Sequence, residues 1–378
     1  MRIGIITIHR SPSYGGSLQT FALYRYLADK GHDTEIIDLL RPTHKGYRDS
    51  WRHFHSRSSF LSKLLAVIKA LIHISINDFD KQRYTKKFED FNSSLKLSKT
   101  YCSVDDLYDN PPVYDIYITG SDQVWNPTQP YIIEPYFLTF VKKGTGIKVS
   151  YAASVGLSKL RKKEEIQFKE WIESYDVVSV REQSLKEYLG RFVEKEIVRV
   201  ADPTYLLGRD YWKKIALYPK RTGPYILLFE LSHIKELIDF CKRLSYQSGI
   251  KLVVLGQNES NIINEGYEVV NTAGPQEFIG YIGGAEMVIT NSFHGTVFSI
   301  IMEAKNFYSY IAPGNVKGSR IIDLLSQHNV SDHLLDPDLK QTWKELNGNA
   351  IRKEELDKCY YQEQSLSRKF LDSSINCR

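Results

Sequence analysis

A histidine at a strand-to-helix turn is the most suggestive chemical feature of the sequence. His294 lies in the run TNSFHGTVFSI, where a predicted strand, Met287–Thr290, ends and an apolar helix begins. Asn291 and Ser292, just before it, are residue types that cap helices. A histidine placed in this way can transfer protons near neutral pH, so we interpret His294 as functional. A purely structural histidine is the alternative.

An arginine follows another predicted strand. Val177–Val180 ends in Arg181 and Glu182, directly before a predicted helix. A guanidinium group at such a place can make two parallel hydrogen bonds to a phosphate or a carboxylate. The alternative is a structural ion pair of Arg181 with Glu182 or with Asp202.

The segment GSDQVWNP, residues 120–127, follows the third predicted strand and is dense in polar groups. Asp122 can orient or deprotonate a hydroxyl group. Gln123 and Asn126 can form hydrogen bonds with hydroxyl groups, and Trp125 can either stack on a sugar ring or fill the core. These residue types indicate a binding loop for a hydroxylated ligand.

A pair of glycines follows the first predicted strand, Ile3–Ile8. Gly15 and Gly16 allow a ligand to approach the backbone, and Ser17 is predicted to begin a helix whose free N–H groups attract an anion. The dinucleotide-binding pattern GxGxxG is absent. A turn that serves only helix packing is the alternative.

Short apolar runs alternate with amphipathic stretches, which predicts an α/β fold with mostly parallel sheets. The pattern pauses around Ala201–Pro203 and restarts after the stretch Tyr218–Pro224, so the two halves join near residues 205–222. We therefore predict two Rossmann-like domains that face each other, at residues 1–205 and 222–345, followed by a helical tail at 349–378. The remaining predicted strands are Thr34–Leu39, Tyr114–Thr119, Lys148–Ala153, Tyr225–Glu230 and Lys251–Leu255. Ligands bind beyond the carboxyl ends of strands in such sheets, where all the motifs above lie.

Composition and charge narrow the function further. The chain has 378 residues, 42% of them apolar and 25% charged, which excludes a disordered protein. Its net charge of +5 is concentrated at residues 41–101, where 13 basic residues accompany 5 acidic ones. We interpret this segment as a basic helical insertion. A solvated helical face, a membrane-surface contact and a nucleic-acid contact are its alternatives, and no recognisable nucleic-acid motif is present.

We predict that Phe60–Ile76 forms an amphipathic helix that directs Lys63 and Lys69 toward anionic lipid at the inner face of the membrane. This run is too short to span a bilayer, and the amino terminus does not resemble a signal peptide. These two features imply neither export nor a membrane span. The dispersed cysteines favour a reducing cytoplasm, and the amphipathic helix predicts peripheral membrane contact. Four widely spaced cysteines without metal-ligand spacing predict neither a metal site nor disulfides.

Six segments, in their order along the chain, resemble the polysaccharide pyruvyl transferase family. They are YGGSLQTFALYRYL, GSDQVWNP, VSYAASVG, SVREQSLKEYL, VADPTYLL and TNSFHGTVFSI, and the likeness extends to about Leu325. Members of the family transfer pyruvate from phosphoenolpyruvate to a sugar of a surface glycan, where it forms a cyclic ketal across two hydroxyl groups. They are similar to two-domain GT-B glycosyltransferases. The resemblance implies a polysaccharide or lipid-linked oligosaccharide acceptor and no cofactor or metal.

The resemblance also implies roles for single residues. His294 and Arg181 match the family's cationic phosphoenolpyruvate pocket, with His294 as the acid and base, and Asp122 is the candidate on the acceptor side. Ser292 stands where some members carry an arginine, for which Arg320 can substitute. The chain also departs from the family before the glycine pair, where Ser13 and Tyr14 replace the frequent asparagine. The other donor-binding candidates are Lys317, Asn291, Ser292, Ser17 and Gly16, and the acceptor-binding candidates are Gln123, Trp125 and Asn126.

Two other functions fit the same architecture. A GT-B nucleotide-sugar glycosyltransferase would bind a nucleoside diphosphate instead of phosphoenolpyruvate. A non-catalytic glycan-binding protein would use the basic insertion and the 25 tyrosines of the chain, because tyrosine side chains are suited to sugar surfaces.

Overall fold

The computed structural model describes residues 1–51, 78–256, 266–315 and 318–376. Within these residues, six parallel strands form the first sheet, in the order β2-β1-β3-β4-β5-β6. Their bounds are β1 (Arg2–Ile6), β2 (Asp33–Ile36), β3 (Ile116–Thr119), β4 (Ile147–Ala153), β5 (Val177–Val180) and β6 (Ile197–Arg199). The helices of this lobe are α1 (Tyr14–Asp29), α2 (Asp78–Asn92), α3 (Val104–Asp109), α4 (Lys162–Glu173) and α5 (Gln183–Leu189), with a 3₁₀ helix at Glu134–Phe137.

Five further parallel strands of the described chain form the second sheet, in the order β11-β10-β7-β8-β9. They are β7 (Tyr225–Phe229), β8 (Lys251–Leu255), β9 (Glu268–Val270), β10 (Met287–Thr290) and β11 (Phe307–Ser309). Helices α6 (Thr204–Leu207) and α7 (Arg209–Ile215) connect the lobes. They are followed by α8 (Lys235–Ser248), α9 (Pro275–Gly284), α10 (Phe293–Ile301), α11 (Ser319–Gln327), a 3₁₀ helix at Ser331–His333, α12 (Trp343–Gly348) and α13 (Lys353–Asn376).

The central strands of both sheets are buried on their two faces, which explains why β3, β7 and β10 are nearly continuous apolar runs. The predicted α/β class with two Rossmann-like halves is confirmed. Strands β5, β8 and β10 have the predicted bounds, whereas β6, β9 and β11 were not predicted. Each of these three strands has only three residues, which is too short for an apolar periodicity to be recognised.

The first helix begins earlier than predicted. Its N-cap is Ser13, whose Oγ accepts a hydrogen bond from Gly16 N at 3.4 Å, so α1 starts at Tyr14 and not at Ser17. The Ser17 amide donates to Ser13 O at 2.9 Å and its side chain is fully buried. The glycine pair therefore forms the first helical turn instead of a loop before it.

Aromatic side chains pack the two lobes together. The Tyr14 ring stacks on Phe278 with the centroids 4.4 Å apart, and Tyr14 Oη donates to Ala273 O at 2.8 Å. Tyr84 and Phe88 of helix α2 pack beside them. The described part of the predicted insertion therefore packs at the junction between the lobes. It is not only a solvated helical face.

Helix α13 follows the second lobe but contacts the first. Ser367 Oγ accepts a hydrogen bond from Ala201 N at 2.8 Å, and Gln364 Nε2 donates to Tyr205 O at 2.7 Å. None of the helices that the structure describes has the length and apolar character needed to cross a membrane. The amphipathic helix predicted at residues 60–76 lies outside the described residues.

A buried carboxylate joins the ends of β1 and β2. Asp38 accepts hydrogen bonds from Arg10 Nε and Nη2, both at 2.6 Å, from Thr100 Oγ1 at 2.7 Å and from His9 Nε2 at 2.9 Å. Burial alone would raise the pKa of Asp38, but these hydrogen bonds outweigh it and hold the pKa well below its usual range.

We expect Asp38→Asn to destabilise the protein in a pH-dependent way. A folded-state pKa below the unfolded value of about 3.9 means that ionised Asp38 stabilises the fold above about pH 4, and that this contribution is lost as the pH falls below that value. The free energy of unfolding should decrease by about 1.5–3 kcal/mol at neutral pH, the loss typical of hydrogen bonds to a charged group. Urea unfolding at several pH values measures the difference, which should shrink as the solution is acidified. A difference that stays constant with pH would contradict this explanation. Asp33→Asn is the control, because Asp33 is exposed and its ion pair with Lys96 lies at the surface, so the free energy of unfolding should change much less.

Candidate active site

The candidate site lies where strands from both sheets end. Arg181 follows β5, Asp202 follows β6, and His294 is the second residue of α10, directly after β10. Ligands of parallel sheets bind beyond the carboxyl ends, often where the strand order reverses. The order reverses between β1 and β3 in the first sheet and between β7 and β10 in the second. The start of α1, after β1, and the start of α10, after β10, flank these two points.

Arg181 is almost completely buried and contacts two carboxylates. Its Nε donates to Glu182 Oε1 at 3.1 Å, and its Nη1 donates to Asp202 Oδ2 at 2.9 Å. Both ion pairs considered as structural alternatives are therefore formed. Burial lowers the pKa of Arg181, but Glu182, Asp202 and Asp122 outweigh this effect and raise the pKa above its ordinary value. Arg181 is thus a fixed positive charge in the site.

The ring of Phe293 contacts two arginines. Arg181 Cζ lies 4.1 Å from the ring centroid and Arg320 Cζ lies 5.7 Å from it. These cation–π contacts hold the guanidinium groups without using their N–H donors. Arg181 Nη2 and Arg320 Nε are buried without a hydrogen-bond partner among the residues that the structure describes. Burial and the charge of Arg181 lower the pKa of Arg320.

His294 approaches the same carboxylate as Arg181. Its Nε2 lies 3.3 Å from Asp202 Oδ2, a distance typical of an ion pair, but the two groups are not aligned as a hydrogen bond. Asp202 Oδ2 therefore faces Arg181 and His294 at once. Burial raises the pKa of Asp202, but the contacts with His294 and Arg181 outweigh it and hold the pKa well below its usual range.

The imidazole of His294 is packed against the first turn of α1. A Cβ atom added to Gly15 would lie 2.0 Å from His294 Nδ1, far closer than atoms can approach. A glycine is therefore needed at position 15 to admit the histidine. At Gly16 the nearest atom to an added Cβ would be Ile8 O at 3.4 Å, which is an ordinary contact.

This difference provides a matched pair of variants. We expect Gly15→Ala to displace the His294 ring and to lower kcat strongly, because a misplacement of about 1 Å in an active site can cost about a hundredfold in rate. Gly16→Ala should leave the rate almost unchanged, since alanine favours a helix and its Cβ would make only ordinary contacts. The Gly16 amide already donates to Ser13 Oγ, so we omit Gly16 from the donor-binding residues. Steady-state kinetics of both variants, with melting temperatures, test the assignment. If Gly15→Ala turns over as fast as Gly16→Ala and the wild type, the position of His294 does not matter for turnover.

Four side chains that line one small cavity each have a buried polar atom without a partner among the described residues. These atoms are Arg181 Nη2, Arg320 Nε, Gln327 Nε2 and Glu182 Oε2. The cavity has an open volume of about 10 Å³, which is room for about one water molecule. Three donors and one carboxylate oxygen on the side chains around such a space suit a polar or anionic group.

The loop after β3 lies beside these arginines. Asp122 has a left-handed backbone conformation, with φ at 75°, and its Oδ1 accepts a hydrogen bond from Gln123 N at 2.8 Å. The Gln123 side-chain amide lies 2.8 Å from Asn126 Nδ2 and 3.2 Å from Arg320 Nη2. The structure thus brings Asp122 and Gln123 of the first lobe next to Arg320 of the second.

Two of the acceptor-binding predictions do not agree with the structure. The Trp125 indole is fully buried, stacks on Phe137 at 4.8 Å and donates to Tyr136 O at 3.0 Å, so it fills the core and cannot stack on a sugar. Asn126 is also buried, and its Oδ1 accepts hydrogen bonds from Thr128 N and Oγ1 at 2.9 and 2.7 Å. Asn126 therefore shapes the loop instead of contacting a ligand.

Several donor-binding predictions also change. Ser17 is buried inside α1 and contacts Asn92 Nδ2 at 3.3 Å, so it does not line the site. Ser292 is the N-cap of α10 and accepts from Gly295 N at 3.3 Å. Asn291 Oδ1 accepts from Leu231 N at 2.9 Å. These two residues shape the turn that presents His294, and Lys317 lies outside the described residues.

Sequence reasoning did not identify Asp202 as a site residue, although its segment VADPTYLL was recognised. It also treated Gly15 only as a flexible residue. Nothing local to either residue indicates its contact with His294, because that contact joins two lobes that are distant in sequence. No group of three or more His, Cys, Asp or Glu side chains in the described parts of the chain is arranged to hold a metal ion.

Comparison with known proteins places this geometry in a family. A sequence model of the family described as "Polysaccharide pyruvyl transferase" matches residues 14–308. A search of curated proteins by sequence finds no significant match. Among solved structures, Arabidopsis thaliana UGT89C1 complexed with UDP-L-rhamnose is 12% identical, with a TM-score of 0.53 and coverage of 99% of this chain and 98% of that one.

Two further structures have the same fold. UDP-N-acetylglucosamine 2-epimerase from Rickettsia bellii is 11% identical, with a TM-score of 0.52 over 99% of this chain and 96% of that one. The glycotransferase of kitacinnamycin is 14% identical, with a TM-score of 0.50 over 99% and 97% of the two chains. These likenesses show that the fold is GT-B-like, as predicted. The family match covers most of the chain and includes Arg181, Asp202 and His294, so the chain belongs to the polysaccharide pyruvyl transferase family.

Proposed function

We propose that the protein transfers pyruvate from phosphoenolpyruvate to a sugar of a cell-surface polysaccharide or of its lipid-linked precursor. Pyruvate becomes a cyclic ketal across two hydroxyl groups of the sugar, and phosphate is released without a cofactor. The observation that carries the proposal is a cavity lined by Arg181 and Arg320, whose Nη2 and Nε atoms are buried and unpartnered within the described chain. Asp202 also lines this cavity, and its Oδ2 lies 3.3 Å from His294 Nε2. Unused guanidinium donors in a buried place favour an anionic ligand.

The charge of the donor suits this arrangement. Phosphoenolpyruvate carries roughly three negative charges, about two of them on its phosphate group. The amino termini of α1 and α10 meet at the contact of Gly15 with His294, and their partial positive charges favour an anion. The donor is larger than the cavity, so its binding requires the surrounding side chains or the lobes to move.

His294 is the candidate acid because a protonated imidazole beside the bound donor can transfer its proton to it. Arg181 and Arg320 also face the carboxylates of Asp202, Glu182 and Asp122. A proton on His294 in the donor complex would therefore offset part of this negative charge.

The proposed reaction uses this proton first. His294 protonates the methylene carbon C3 of phosphoenolpyruvate, and the cation formed at C2 is attacked by one sugar hydroxyl, which loses its proton. The C2–O bond to phosphate then breaks, phosphate leaves with the bonding electrons, and the second hydroxyl attacks C2 and closes the ring. Of the two hydroxyl protons, one replaces the proton taken up at C3 and the other leaves on the phosphate, so one acid and one base can serve all the steps.

Asp122 is the candidate base for the sugar hydroxyl. Asp122 lies in the turn after β3. Its negative charge raises the pKa of Arg181 and partly offsets the effects that lower the pKa of Arg320, so the carboxylate is close to both arginines. Gln123, at 3.2 Å from Arg320 Nη2, can orient a hydroxyl group between the two lobes. We retain these two residues for the acceptor side and omit Trp125 and Asn126.

A direct test combines product analysis with isotope labelling. The purified protein is incubated with phosphoenolpyruvate and with p-nitrophenyl hexosides or lipid-diphosphate-linked disaccharides, and phosphate release is measured. An accepted sugar should gain the mass of pyruvate less one water molecule. In D₂O the new methyl group should carry one deuterium, because C3 is protonated from solvent. Turnover with nucleotide sugars only would establish a glycosyltransferase instead. Binding of these glycans without turnover of either donor type would favour a non-catalytic protein.

A further inference from the structure

We propose that Asp202 is a positioning residue that holds His294 of the second lobe and Arg181 of the first lobe in one catalytic arrangement. The proposal rests on the function proposed above. It assigns to Asp202 no contact with the donor or the acceptor. Its effect on turnover is exerted through the two groups that do contact them.

The contacts of the two carboxylate oxygens differ. Asp202 Oδ1 accepts hydrogen bonds from Thr204 N at 3.1 Å and from Thr204 Oγ1 at 2.9 Å. Oδ2 lies 2.9 Å from Arg181 Nη1 and 3.3 Å from His294 Nε2. The first oxygen therefore anchors the side chain to the start of α6, and the second lies between the Arg181 guanidinium and the His294 imidazole.

Neutralising Arg181 is not a sufficient reason for this carboxylate. Glu182 already contacts Arg181 Nε at 3.1 Å and is itself buried. A second buried carboxylate is costly unless it serves another charge. The contact that Glu182 does not provide is the one to His294, so we infer that this contact is the function of Asp202.

The contact also joins the two lobes. Asp202 follows β6 of the first sheet, and His294 follows β10 of the second. The spacing between the His294 imidazole and the Arg181 guanidinium therefore depends on one carboxylate oxygen, Asp202 Oδ2, which lies close to both. An acid or base that is oriented by a third group is the usual arrangement in enzymes that transfer protons.

Asp202→Asn tests this proposal because it keeps the size of the side chain and removes its charge. We expect kcat/KM for phosphoenolpyruvate to decrease about 10- to 100-fold, the loss typical when an orienting partner of an active-site group is removed. The loss should appear both in kcat, through His294, and in KM, through Arg181. Thr204→Val is the matched control, since it removes a hydrogen bond from Oδ1 only. It should lower the melting temperature and change kcat by less than about threefold.

A double-mutant cycle separates positioning from general destabilisation. If Asp202 acts through His294, the kcat of the double variant Asp202→Asn with His294→Ala should equal that of His294→Ala alone. Multiplied losses would overturn the proposal. If Asp202→Asn does not fold, Asp202→Glu carries the test, because it keeps the charge and displaces it. We then expect a lowered kcat in a folded protein, and a wild-type kcat would overturn the proposal.

A spectroscopic readout does not depend on the reaction. The ring signals of His294 in a ¹H–¹⁵N correlation spectrum, assigned by their loss in His294→Ala, should shift in Asp202→Asn and stay in place in Thr204→Val. Unchanged ring signals in Asp202→Asn would overturn the proposal. If the wild-type protein does not turn over phosphoenolpyruvate, the proposed function fails, and these signals still decide whether Asp202 positions His294.

Discussion

His294→Ala should decrease the rate of pyruvyl transfer by about a hundredfold to ten-thousandfold, the range typical of removing one positioned acid or base. Phosphoenolpyruvate should still bind measurably, because Arg181, Arg320 and the two helix amino termini remain. The residue is 8% exposed, but its Nε2 makes no hydrogen bond within the described chain, so its removal should affect stability less than turnover. Initial rates and calorimetric binding on the same preparation measure the two effects separately.

His333→Ala is the matched control for this variant. His333 is also buried, but its ring stacks between Phe307 and Tyr308, and its Nδ1 lies 2.8 Å from Phe307 O, away from the site. We expect His333→Ala to lower the melting temperature while kcat stays close to that of the wild type. If His294→Ala behaves like His333→Ala, with early melting and normal turnover when folded, His294 is a structural residue.

Arg181→Lys should raise the KM for phosphoenolpyruvate about tenfold to more than a hundredfold. Lysine preserves the charge beside Asp202 and Glu182, so the protein should fold. A single ammonium group cannot contact both carboxylates and still present a fixed N–H to phosphoenolpyruvate, as Arg181 can through Nη2, which is unpartnered within the described chain. The expected loss corresponds to one charge-assisted hydrogen bond, about 1.5–3 kcal/mol. Donor titrations at a fixed acceptor concentration measure the KM.

Arg209 offers a control with nearly the same surroundings. Its Cζ lies 4.1 Å from the Tyr360 ring centroid, the same distance as Arg181 from Phe293, and its Nη1 donates to Asp357 at 2.6 Å. Arg209→Lys should therefore lower stability and leave the KM for the donor unchanged. If both substitutions destabilise the protein and neither changes the KM, Arg181 is only part of a structural ion pair.

The sequence by itself determined the fold class and the ends of the strands that matter most. β5, β8 and β10 are apolar runs bounded by polar residues, and burial on both faces of a parallel sheet requires such runs. His294 and Arg181 were found because each follows one of these strands. Both residues can therefore be recognised as site candidates from a few consecutive residues of the sequence.

Local pattern was misleading where the same residues suit two structures. Gly15 and Gly16 were interpreted as a loop, whereas Ser13 caps a helix that includes them. Trp125 has a large apolar surface and one N–H donor, which suits a sugar platform as well as a core. Trp125 belongs to the core because, in the structure, its indole stacks on Phe137 and donates a hydrogen bond to Tyr136 O.

The tertiary structure alone decided which groups meet. Asp202 Oδ2 lies 3.3 Å from His294 Nε2, and Gly15 supports the ring of the same histidine from another part of the chain. Contacts of this kind depend on how two lobes pack, through Tyr14 and Phe278, and therefore on many weak interactions between residues distant in sequence. Hydrophobic periodicity determines which segments form strands and helices, but it contains no information about such distances between lobes.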